Sequence, residues 1–427
     1  MEQSTVSPRS AAGSAFSWAR AASTVPLRAG TTTLRTLLAT AASVAAVAGL
    51  SVTTAAVPAA ATPPPAGVTI AHWGTFTGDG DPAGQSLRPT RLNLPGQVVG
   101  VSSSNTAQYA LLANGSLYAW GQGGRGQLGD GSLANSLQTA VRVHFPAGVK
   151  IAFIPTDVMP YNGGLAVDTT GRAWGWGQNM GGELCLGNHR RYTTPVRLPL
   201  THVTALASGY NHAVYDANGR LYACGTDKNG ELGDGRTQTS EVPVKVSGLA
   251  GKDVSTLVAS FGNGGALLTD GQYYDWGYDA GGQLGDGVLG TSSDVPVLVH
   301  LPHPVTQVAQ GGSIFSNGQT LVMLSTGAIW AWGEDNRAQL GNGTTGTQAV
   351  PARLTPPAGV VYRTLASAGS TSYAITTSGA VWAWGRGTLG ELGDGKKQDS
   401  VRPVKVATGA VGISATADDA VVLLGGN

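Results

Sequence analysis

Charge is scarce in this sequence. Only 12% of its 427 residues are Asp, Glu, Lys or Arg, about half the usual share of roughly 25%, and the formal net charge is +1. Binding to nucleic acid depends on many cations that neutralise phosphates. We therefore expect no nucleic-acid partner.

Cysteine is equally scarce, because the chain has only Cys185 and Cys224. Two cysteines cannot make a disulfide framework, and no Cys/His spacing resembles a zinc site. Whether these two form a single bridge stays open, because a bridge needs Cα atoms that lie close together in the fold. We predict no metal site.

Sequence motifs of several enzyme classes are missing. There is no G-x-x-x-x-G-K-[ST] loop for phosphates and no G-x-S-x-G nucleophile elbow. His300 and His303 lack a third metal ligand, and Thr77–Asp81 is interpreted as a polar surface loop. We interpret four recurring acids as turn residues, since Asp before Gly bonds its own backbone: Asp130, Asp234, Asp286 and Asp394. We predict no catalytic residue and no cofactor, while carboxylates paired from distant loops stay an open alternative.

The N-terminal region has the order of a secretory signal. Four arginines precede an uncharged stretch that begins at Leu37, and small residues follow it up to Ala59-Ala60-Ala61. We predict a signal region over 1–61, cleaved after Ala61, and a Pro-rich spacer over 62–66. A retained membrane anchor is the alternative, since Leu37–Ala61 is long enough to cross a bilayer. The prediction is a secreted or cell-envelope protein.

Glycine is abundant, with 64 residues, and part of it follows a repeat. In six copies a Gly is followed five residues later by Trp or Cys, then by Gly, and eight residues after the Trp or Cys by Leu. The Trp or Cys positions are Trp120, Trp176, Cys224, Trp276, Trp332 and Trp384, and the Leu positions are Leu128, Leu184, Leu232, Leu284, Leu340 and Leu392. A seventh Trp-Gly pair stands at Trp73. Self-similarity at a period near fifty residues is typical of repeat architectures.

Each copy is predicted to be a small antiparallel sheet. The first Gly lies in a two-residue turn such as Asn114-Gly115, between segments of alternating polarity, which is a β-hairpin signal. Such sheets bury their faces when they stack radially into a closed ring. The pair at Trp73 has no hairpin partner before it, and residues 420–427 resemble that partner. We therefore predict an all-β, seven-bladed β-propeller over 67–427, closed by pairing of the N- and C-terminal strands in one composite blade.

The repeated motifs resemble the regulator of chromosome condensation repeat family. The Trp-Gly pairs and the six Leu positions match its pattern, while its histidine is present only at His212. By our alignment that place is taken elsewhere by Gln108, Gly164, Gly264, Thr320 and Ser372. The resemblance implies a seven-bladed propeller. It also implies two modes of action: guanine-nucleotide exchange, as in the member that gives the family its name, and coverage of an enzyme by aromatic loop residues, as in the secreted beta-lactamase inhibitor protein II.

We predict that the turns at the His212 position bind a protein partner, since Tyr and Asn suit recognition surfaces. The candidates are Asn162, Tyr210, Asn211, His212, Phe261, Asn263, Asn317 and Thr371, with a second patch at Arg190, Arg191 and Tyr192. At each of these positions a purely structural role is the alternative. The predicted function is a non-catalytic, exported, monomeric protein-binding propeller, an inhibitor or adaptor. The alternatives are a carbohydrate-binding or hydrolytic envelope propeller and a nucleotide-exchange regulator, and any membrane contact is expected only through an uncleaved N-terminal segment.

Overall fold

A computed structural model of the chain describes residues 69–75, 85–155, 159–313, 316–416 and 418–425. All regular elements in these ranges are β-strands, and they include no helix that could cross a bilayer. The predicted signal region, the spacer and the loop Thr77–Asp81 lie outside the described residues.

The strands form seven four-stranded antiparallel sheets, which we call blades, with strands a to d from the centre outward. The first described strands are β1 (Thr69–Thr75) and β2 (Gln85–Leu92), which are strands c and d of blade 7. Blade 1 contains β3 (Val98–Ser103), β4 (Ala107–Leu112), β5 (Leu117–Gly121) and β6 (Ser136–Arg142). Blade 2 contains β7 (Ile151–Phe153), β8 (Gly163–Asp168), β9 (Arg172–Gly177) and β10 (Tyr192–Thr201). Blade 3 contains β11 (Val203–Ser208), β12 (His212–Ala217), β13 (Arg220–Gly225) and β14 (Ser240–Lys245).

The remaining blades follow the same order. Blade 4 contains β15 (Val254–Ala259), β16 (Asn263–Leu268), β17 (Tyr273–Gly277) and β18 (Ser293–Leu298). Blade 5 contains β19 (Val305–Gln310), β20 (Gln319–Leu324), β21 (Ile329–Gly333) and β22 (Gln348–Leu354). Blade 6 contains β23 (Tyr362–Ser367), β24 (Thr371–Thr376), β25 (Val381–Gly385) and β26 (Ser400–Ala407). Blade 7 is completed by strands a and b, which are β27 (Ala410–Ala415) and β28 (Asp419–Leu424).

The two ends of the chain close the ring. Strand β1 pairs with β28 in continuous register from Thr69 opposite Leu424 to Gly74 opposite Asp419. From blade 3 to blade 7 the a strands of neighbouring blades pack on one another, and β27 of blade 7 packs on β3 of blade 1. The predicted seven-bladed propeller with a composite blade is confirmed.

The Trp and Leu positions of the repeat, which have a constant spacing in this chain, form the contact between neighbouring blades. The six motif Trp side chains are fully buried. In five of them Nε1 donates to the backbone carbonyl of the Gln or Glu that precedes the motif Leu of the preceding blade. The pairs are Trp176 to Gln127 at 2.8 Å, Trp276 to Glu231 at 3.0 Å, Trp332 to Gln283 at 2.7 Å, Trp384 to Gln339 at 2.9 Å and Trp73 to Glu391 at 2.7 Å. In these five blades the Trp therefore binds the blade to the previous one, because its ring is buried while its N–H finds one partner.

The Gln or Glu before the motif Leu also closes its own loop. In all six copies its side-chain oxygen accepts a hydrogen bond from the backbone N–H two residues earlier. The acceptors are Gln127, Glu183, Glu231, Gln283, Gln339 and Glu391, at 2.7–2.8 Å. Since Gln and Glu both serve, the position requires an acceptor oxygen and not a charge.

The pKa of Glu183 allows a test of whether this position needs a charge. Burial raises the pKa of Glu183 to about 7, so the folded chain holds this proton more tightly than the unfolded chain does. Its contribution to stability is complete below about pH 4.5 and is lost as the pH rises through about 7. We expect Glu183→Gln to raise the melting temperature at pH 8.5 and to leave it unchanged at pH 4.5, as measured by thermal denaturation.

The control for this substitution is Glu241→Gln. Glu241 is half-buried and bonded to His189 at 2.6 Å, and surface pairs of this kind contribute little. A higher melting temperature for Glu183→Gln at both pH values would contradict the assigned role of its charge.

The recurring Asp residues lie in the turns for which they were predicted. One carboxylate oxygen of each accepts the backbone N–H two residues later, at 2.9–3.0 Å. The pairs are Asp130 with Ser132, Asp234 with Arg236, Asp286 with Val288 and Asp394 with Lys396. The interpretation of these acids as turn residues is confirmed.

A disulfide joins Cys185 of blade 2 to Cys224 of blade 3, with Cα atoms 5.5 Å apart. Cys224 stands at the motif Trp position. Cys185 stands after the motif Leu, where five other copies have a Gly with φ between 63° and 73°: Gly129, Gly233, Gly285, Gly341 and Gly393. Those glycines have no room for a Cβ, which at Gly129 would lie 2.9 Å from the Trp176 ring. The two cysteines therefore replace a Trp-on-Gly contact by a covalent bond at the same place between two blades.

Candidate functional site

The turns that join strands a and b lie at the same end of each blade as the loops that join strands c and d. The start of strand b pairs with the end of strand c, as Ala107 does with Gly121 and His212 with Gly225. We call this end of the propeller the loop face. The opposite end, which carries the b–c hairpins and the links between blades, is the hairpin face.

Strand register corrects the alignment of His212. It pairs with Gly225, the Gly after Cys224. The residues that pair with this Gly in other blades are Ala107, Gly163, Asn263, Gln319, Thr371 and Asp419. The placement of Gln108, Gly164, Gly264, Thr320 and Ser372 at the histidine position is wrong by one residue, because those residues pair with the Trp itself.

Four predicted binding residues of these turns are buried, and Asn162 is one of them. His212 is 1% exposed, and Asn263 and Thr371 are 0% exposed. His212 Nε2 lies 3.1 Å from the carbonyl of Asn263 in the next blade, and Asn263 Nδ2 donates to the carbonyl of Tyr278 at 2.7 Å. Thr371 Oγ1 donates to the carbonyl of Arg386 at 2.9 Å. They support the turns and do not present a contact surface, which corrects that part of the prediction.

The asparagines of the turns also have internal partners. Asn162 accepts a hydrogen bond from Thr106 Oγ1 of blade 1 at 2.9 Å and donates to Gln178 at 3.0 Å. The carbonyl of half-buried Asn211 accepts the Thr226 N–H at 2.8 Å. The backbone of Asn317 is fixed by Gln283, whose Nε2 donates to its carbonyl at 2.6 Å. These residues hold a–b turns against c–d loops and make the loop face rigid.

Three aromatic rings form a row across blades 2, 3 and 4 on the loop face. The ring centroids of Tyr161 and Tyr210 are 4.4 Å apart, and those of Tyr210 and Phe261 are 5.1 Å apart. All three side chains are half-buried. Burial raises the pKa of Tyr161, and the neighbouring Tyr210 and Asp418 raise it further. We call these three residues the aromatic row.

The aromatic row borders the mouth of the central channel. Every blade contributes to the lining of the mouth, from Asn105 in blade 1 to Thr416 in blade 7, and Gly311, Gly312 and Gly369 of blades 5 and 6 belong to it. The cavity volume is about 40 Å³, room for a few water molecules at most and far below the ~300–1,000 Å³ of ligand pockets. The mouth therefore suits contact with the surface of a large partner.

Two further side chains lie on loops that pack against the turns of the row. Met180, at the tip of the blade 2 c–d loop, is 65% exposed. The next residue, Gly181, packs so closely on Asn211 that a Cβ would lie 2.8 Å from the Asn211 Cβ, so the loop that carries Met180 packs against the turn that carries Tyr210. Tyr278 packs in the same way over Gly262, next to Phe261.

The second predicted patch lies on the same face. Arg190 and Arg191 are exposed, and Tyr192 is half-buried. Arg191 Nη1 donates to the carbonyl of Gly124 in blade 1 at 3.1 Å, and Tyr192 donates to Asn188 at 3.3 Å. Arg190 is thus the member of this patch that is most available to a partner.

The mouth offers little catalytic chemistry. None of the described residues in its lining carries a carboxylate. The nearby Asp418 is bound by Arg386, with Nη1 3.0 Å from Oδ1. Across the residues that the structure describes, no group of three or more His, Cys, Asp or Glu side chains could hold a metal ion.

Comparison with known sequences identifies the repeat. The pattern of the Regulator of chromosome condensation (RCC1) repeat matches residues 114–163, 170–215, 218–264, 326–375 and 378–417, more than half of the chain. The chain belongs to the RCC1 repeat family. Its propeller is therefore an RCC1 propeller in sequence as well as in architecture.

Its RCC1 relatives include proteins of very different length. Human E3 ubiquitin-protein ligase HERC2 is 29% identical over 304 residues, which are 69% of this chain but 6% of HERC2. The ultraviolet-B receptor UVR8 of Arabidopsis thaliana is 28% identical over 324 residues, 73% of this chain and 70% of UVR8. The chain thus spans a small part of HERC2 and most of UVR8.

Solved RCC1 propellers share the fold. Human WBSCR16 matches with a TM-score of 0.73 and 20% identity, over 84% of this chain and 98% of that one. Prp20p from Saccharomyces cerevisiae matches with a TM-score of 0.72 and 20% identity, over 86% of this chain and 93% of that one. At this identity the likeness establishes the architecture.

Sequence reasoning missed Tyr161, Met180 and Tyr278 on this RCC1 propeller. Tyr161 stands two residues before the residue that pairs with the motif Gly, as Tyr210 and Phe261 do. With the histidine register corrected, this shared position is visible in the sequence. Met180 and Tyr278 follow the motif Trp by four and two residues, and only the packing of loops between blades shows that their loops lie against the turns of the row.

Proposed function

We propose that this chain is a non-catalytic, exported protein-binding propeller, an inhibitor or adaptor that holds its partner on the loop face. The observation that carries the proposal is the presence of apolar side chains, the aromatic row and Met180, on the loop face. Exposed apolar patches with polar rims mark interaction sites, and aromatic side chains together with Met are enriched in interfaces. The rigid turns beneath the row lower the entropy cost of binding.

The architecture of the relatives supports this mode of action. The structural work on Prp20p concerns its binding to Gsp1p and histones, and another structure contains Kap60 bound to that yeast protein. Those partners belong to the yeast protein. What supports the proposal here is that the same propeller architecture serves to bind other proteins.

The disulfide supports export. Buried disulfides persist in oxidising compartments and are rare in the cytosol, and Cys185 and Cys224 are 2% and 0% exposed. The basic, then apolar, then small-residue order of residues 1–61 points to the same compartment. An exported binding protein is consistent with both observations.

Carbohydrate binding is the second candidate, favoured by the aromatic rings at the channel mouth. A sugar stacks on an open, flat ring face. The rings of the row are tilted against one another by 58° and 51° and pack together, which leaves less of each face free. Protein binding fits this geometry better.

The test uses the full-length chain as bait for the secreted and envelope proteins of its host, followed by affinity measurement with the purified enriched partner. We expect Tyr210→Ala and Met180→Ala each to weaken binding, Tyr210→Ala by roughly thirtyfold, equivalent to ~2 kcal/mol for a binding hot spot. Val361→Ala is the control, since Val361 is 59% exposed and lies on the hairpin face. If instead the chain binds cell-wall glycan and the Tyr210→Ala variant does not, the function is carbohydrate binding.

A further inference from the structure

Blade 1 differs from the six other blades at its outer edge. Strand d is the outermost strand of every blade. In six blades a proline precedes the strand d residue that pairs with the residue before the motif Trp or Cys. These prolines are Pro89, Pro195, Pro243, Pro296, Pro351 and Pro403. In blade 1 Ala119 pairs with Val141, so Ala140 stands at the place of the proline.

The substitution of Ala for Pro leaves the outer strand of blade 1 open to pairing. Proline protects an edge strand because it has no N–H to donate to a further strand. Val143 N–H donates to the carbonyl of Leu117 in strand c at 2.9 Å. Since inward and outward backbone groups alternate along an antiparallel strand, those of Ala140 and Arg142 point outward. Ala140 is half-buried and Arg142 is exposed, so this edge is accessible.

A groove of about 430 Å³ lies beside the open edge. Thr139 and Ala140 line it on the side of blade 1, and residues 91–95, which end strand d of blade 7 and lead to blade 1, line the rest. Leu92 and Leu94 in this lining are half-buried. The groove has the volume of a small ligand pocket, ~300–1,000 Å³, and is large enough for a long side chain.

We propose that a second copy of this chain pairs with this edge, strand d of blade 1 against strand d of blade 1, antiparallel about a two-fold axis at Val141. Ala140 of each copy lies opposite Arg142 of the other, and each such pair exchanges two backbone hydrogen bonds. A two-fold contact of this kind uses the same surface on both copies. This surface is the outer wall of the propeller and not the loop face.

The edge is self-complementary, which favours a second copy over an unrelated strand. The small Ala140 faces the long Arg142, and side chains of facing residues lie on the same side of a sheet. Arg142 of one copy therefore reaches the groove beside Ala140 of the other, where its aliphatic stem can lie on Leu92 and Leu94. On the other side of the sheet Val141 faces Val141 of the second copy, a β-branched pair that stabilises antiparallel strands.

The contact is short, and its expected affinity is low. Standard interfaces contain ~20–30 residues a side, and this edge offers far fewer, so we expect a Kd on the order of 10–100 µM. Arg91 and Arg142 of both copies come near one another, so salt should strengthen the association by screening their repulsion. The monomer predicted from the sequence would then hold only at lower concentrations. Because the paired strands run in opposite directions, the two loop faces point away from each other and both stay free.

Sedimentation velocity of the full-length chain, over a concentration series and at low and high salt, measures the association. We expect Ala140→Pro to weaken it by roughly tenfold or more, because the substitution removes the N–H. Its melting temperature should stay unchanged, since six other outer strands contain a proline at this place. Ala140→Ser is the matched control: it keeps the N–H and should associate like the wild type.

A new cysteine tests the register. Cys185 and Cys224 are the only cysteines of the chain and are bonded to each other. In the proposed pairing the two Val141 residues face each other with Cβ atoms ~4.5–5.5 Å apart. Val141→Cys should therefore give a disulfide-linked dimer on a non-reducing gel after mild oxidation. Thr139→Cys is the control, because its two copies lie about 13 Å apart along the strands.

A wild type that remains a monomer over the whole series, or an Ala140→Pro variant that associates like the wild type, would overturn the inference. Equal cross-linking of Val141→Cys and Thr139→Cys would also contradict it. If association is lost in Tyr210→Ala and kept in Ala140→Pro, the copies meet through the loop face and the proposed edge is wrong. None of these results decides the proposed function, which depends on a different surface and is tested with a different partner.

Discussion

The double variant Cys185→Gly/Cys224→Trp is expected to be nearly as stable in reducing buffer as the wild type is in oxidising buffer. It recreates the Trp-on-Gly contact found at five other contacts between blades. Space for the ring is available, since Ala213 pairs with Cys224 as Ala420 pairs with Trp73. The measurement is chemical denaturation with and without reductant.

The control for the double variant is Cys185→Gly/Cys224→Ala, which has neither the disulfide nor the ring. A bridge across a sequence separation of 39 residues stabilises by about 4 kcal/mol in the loop-closure estimate. We expect the control to lose about that much. If the Trp variant is no more stable than the Ala variant, then Cys185–Cys224 is not a substitute for the Trp-on-Gly contact.

Removal of residues 418–427 is expected to abolish cooperative folding. Strand β28 pairs with β1 on one side and with β27 on the other, so its loss separates the two halves of blade 7 and opens the ring. Val421 and Val422 are fully buried, and two strand edges become exposed, which favours aggregation. Circular dichroism melts and size-exclusion chromatography measure both effects.

The matched control removes residues 426–427 alone, because β28 ends at Leu424. We expect this shorter deletion to melt like the wild type. A cooperative transition after the longer deletion would show that six blades suffice for a stable fold.

The number of blades was predictable because the motif Trp occurs with other residues at fixed distances along the sequence. Each motif Trp must have a Gly after it, a Leu eight residues later and a hairpin before it, and this combination survives in the sequence. The pairing of the chain ends was also visible, since strand β1 has a Trp-Gly pair without a preceding hairpin partner. The repeat motifs were therefore sufficient to predict the number of blades and the closure of the ring.

The site was predictable only in part. Tyr210, Phe261, Asn263 and Thr371 were all predicted because they lie in the turns at the His212 position. Tyr210 and Phe261 border the channel mouth, whereas Asn263 and Thr371 are buried and donate to backbone carbonyls. The disulfide stayed open because a bridge needs Cα atoms that lie close together, which the sequence does not show. The repeat placed Cys224 at the position of a Trp, and the structure adds that Cys185 of the preceding blade lies against it, 5.5 Å away between Cα atoms.

The composite blade also sets the order of events during synthesis. Strands β1 and β2 leave the ribosome first, and β28, which must lie between β1 and β27, leaves it last. Until β28 is made, the edge of β1 that faces the centre of the propeller has no strand to pair with. The six other blades can form, but the ring stays open. The ring can therefore close only after β28 has been synthesised, however early the other blades have formed.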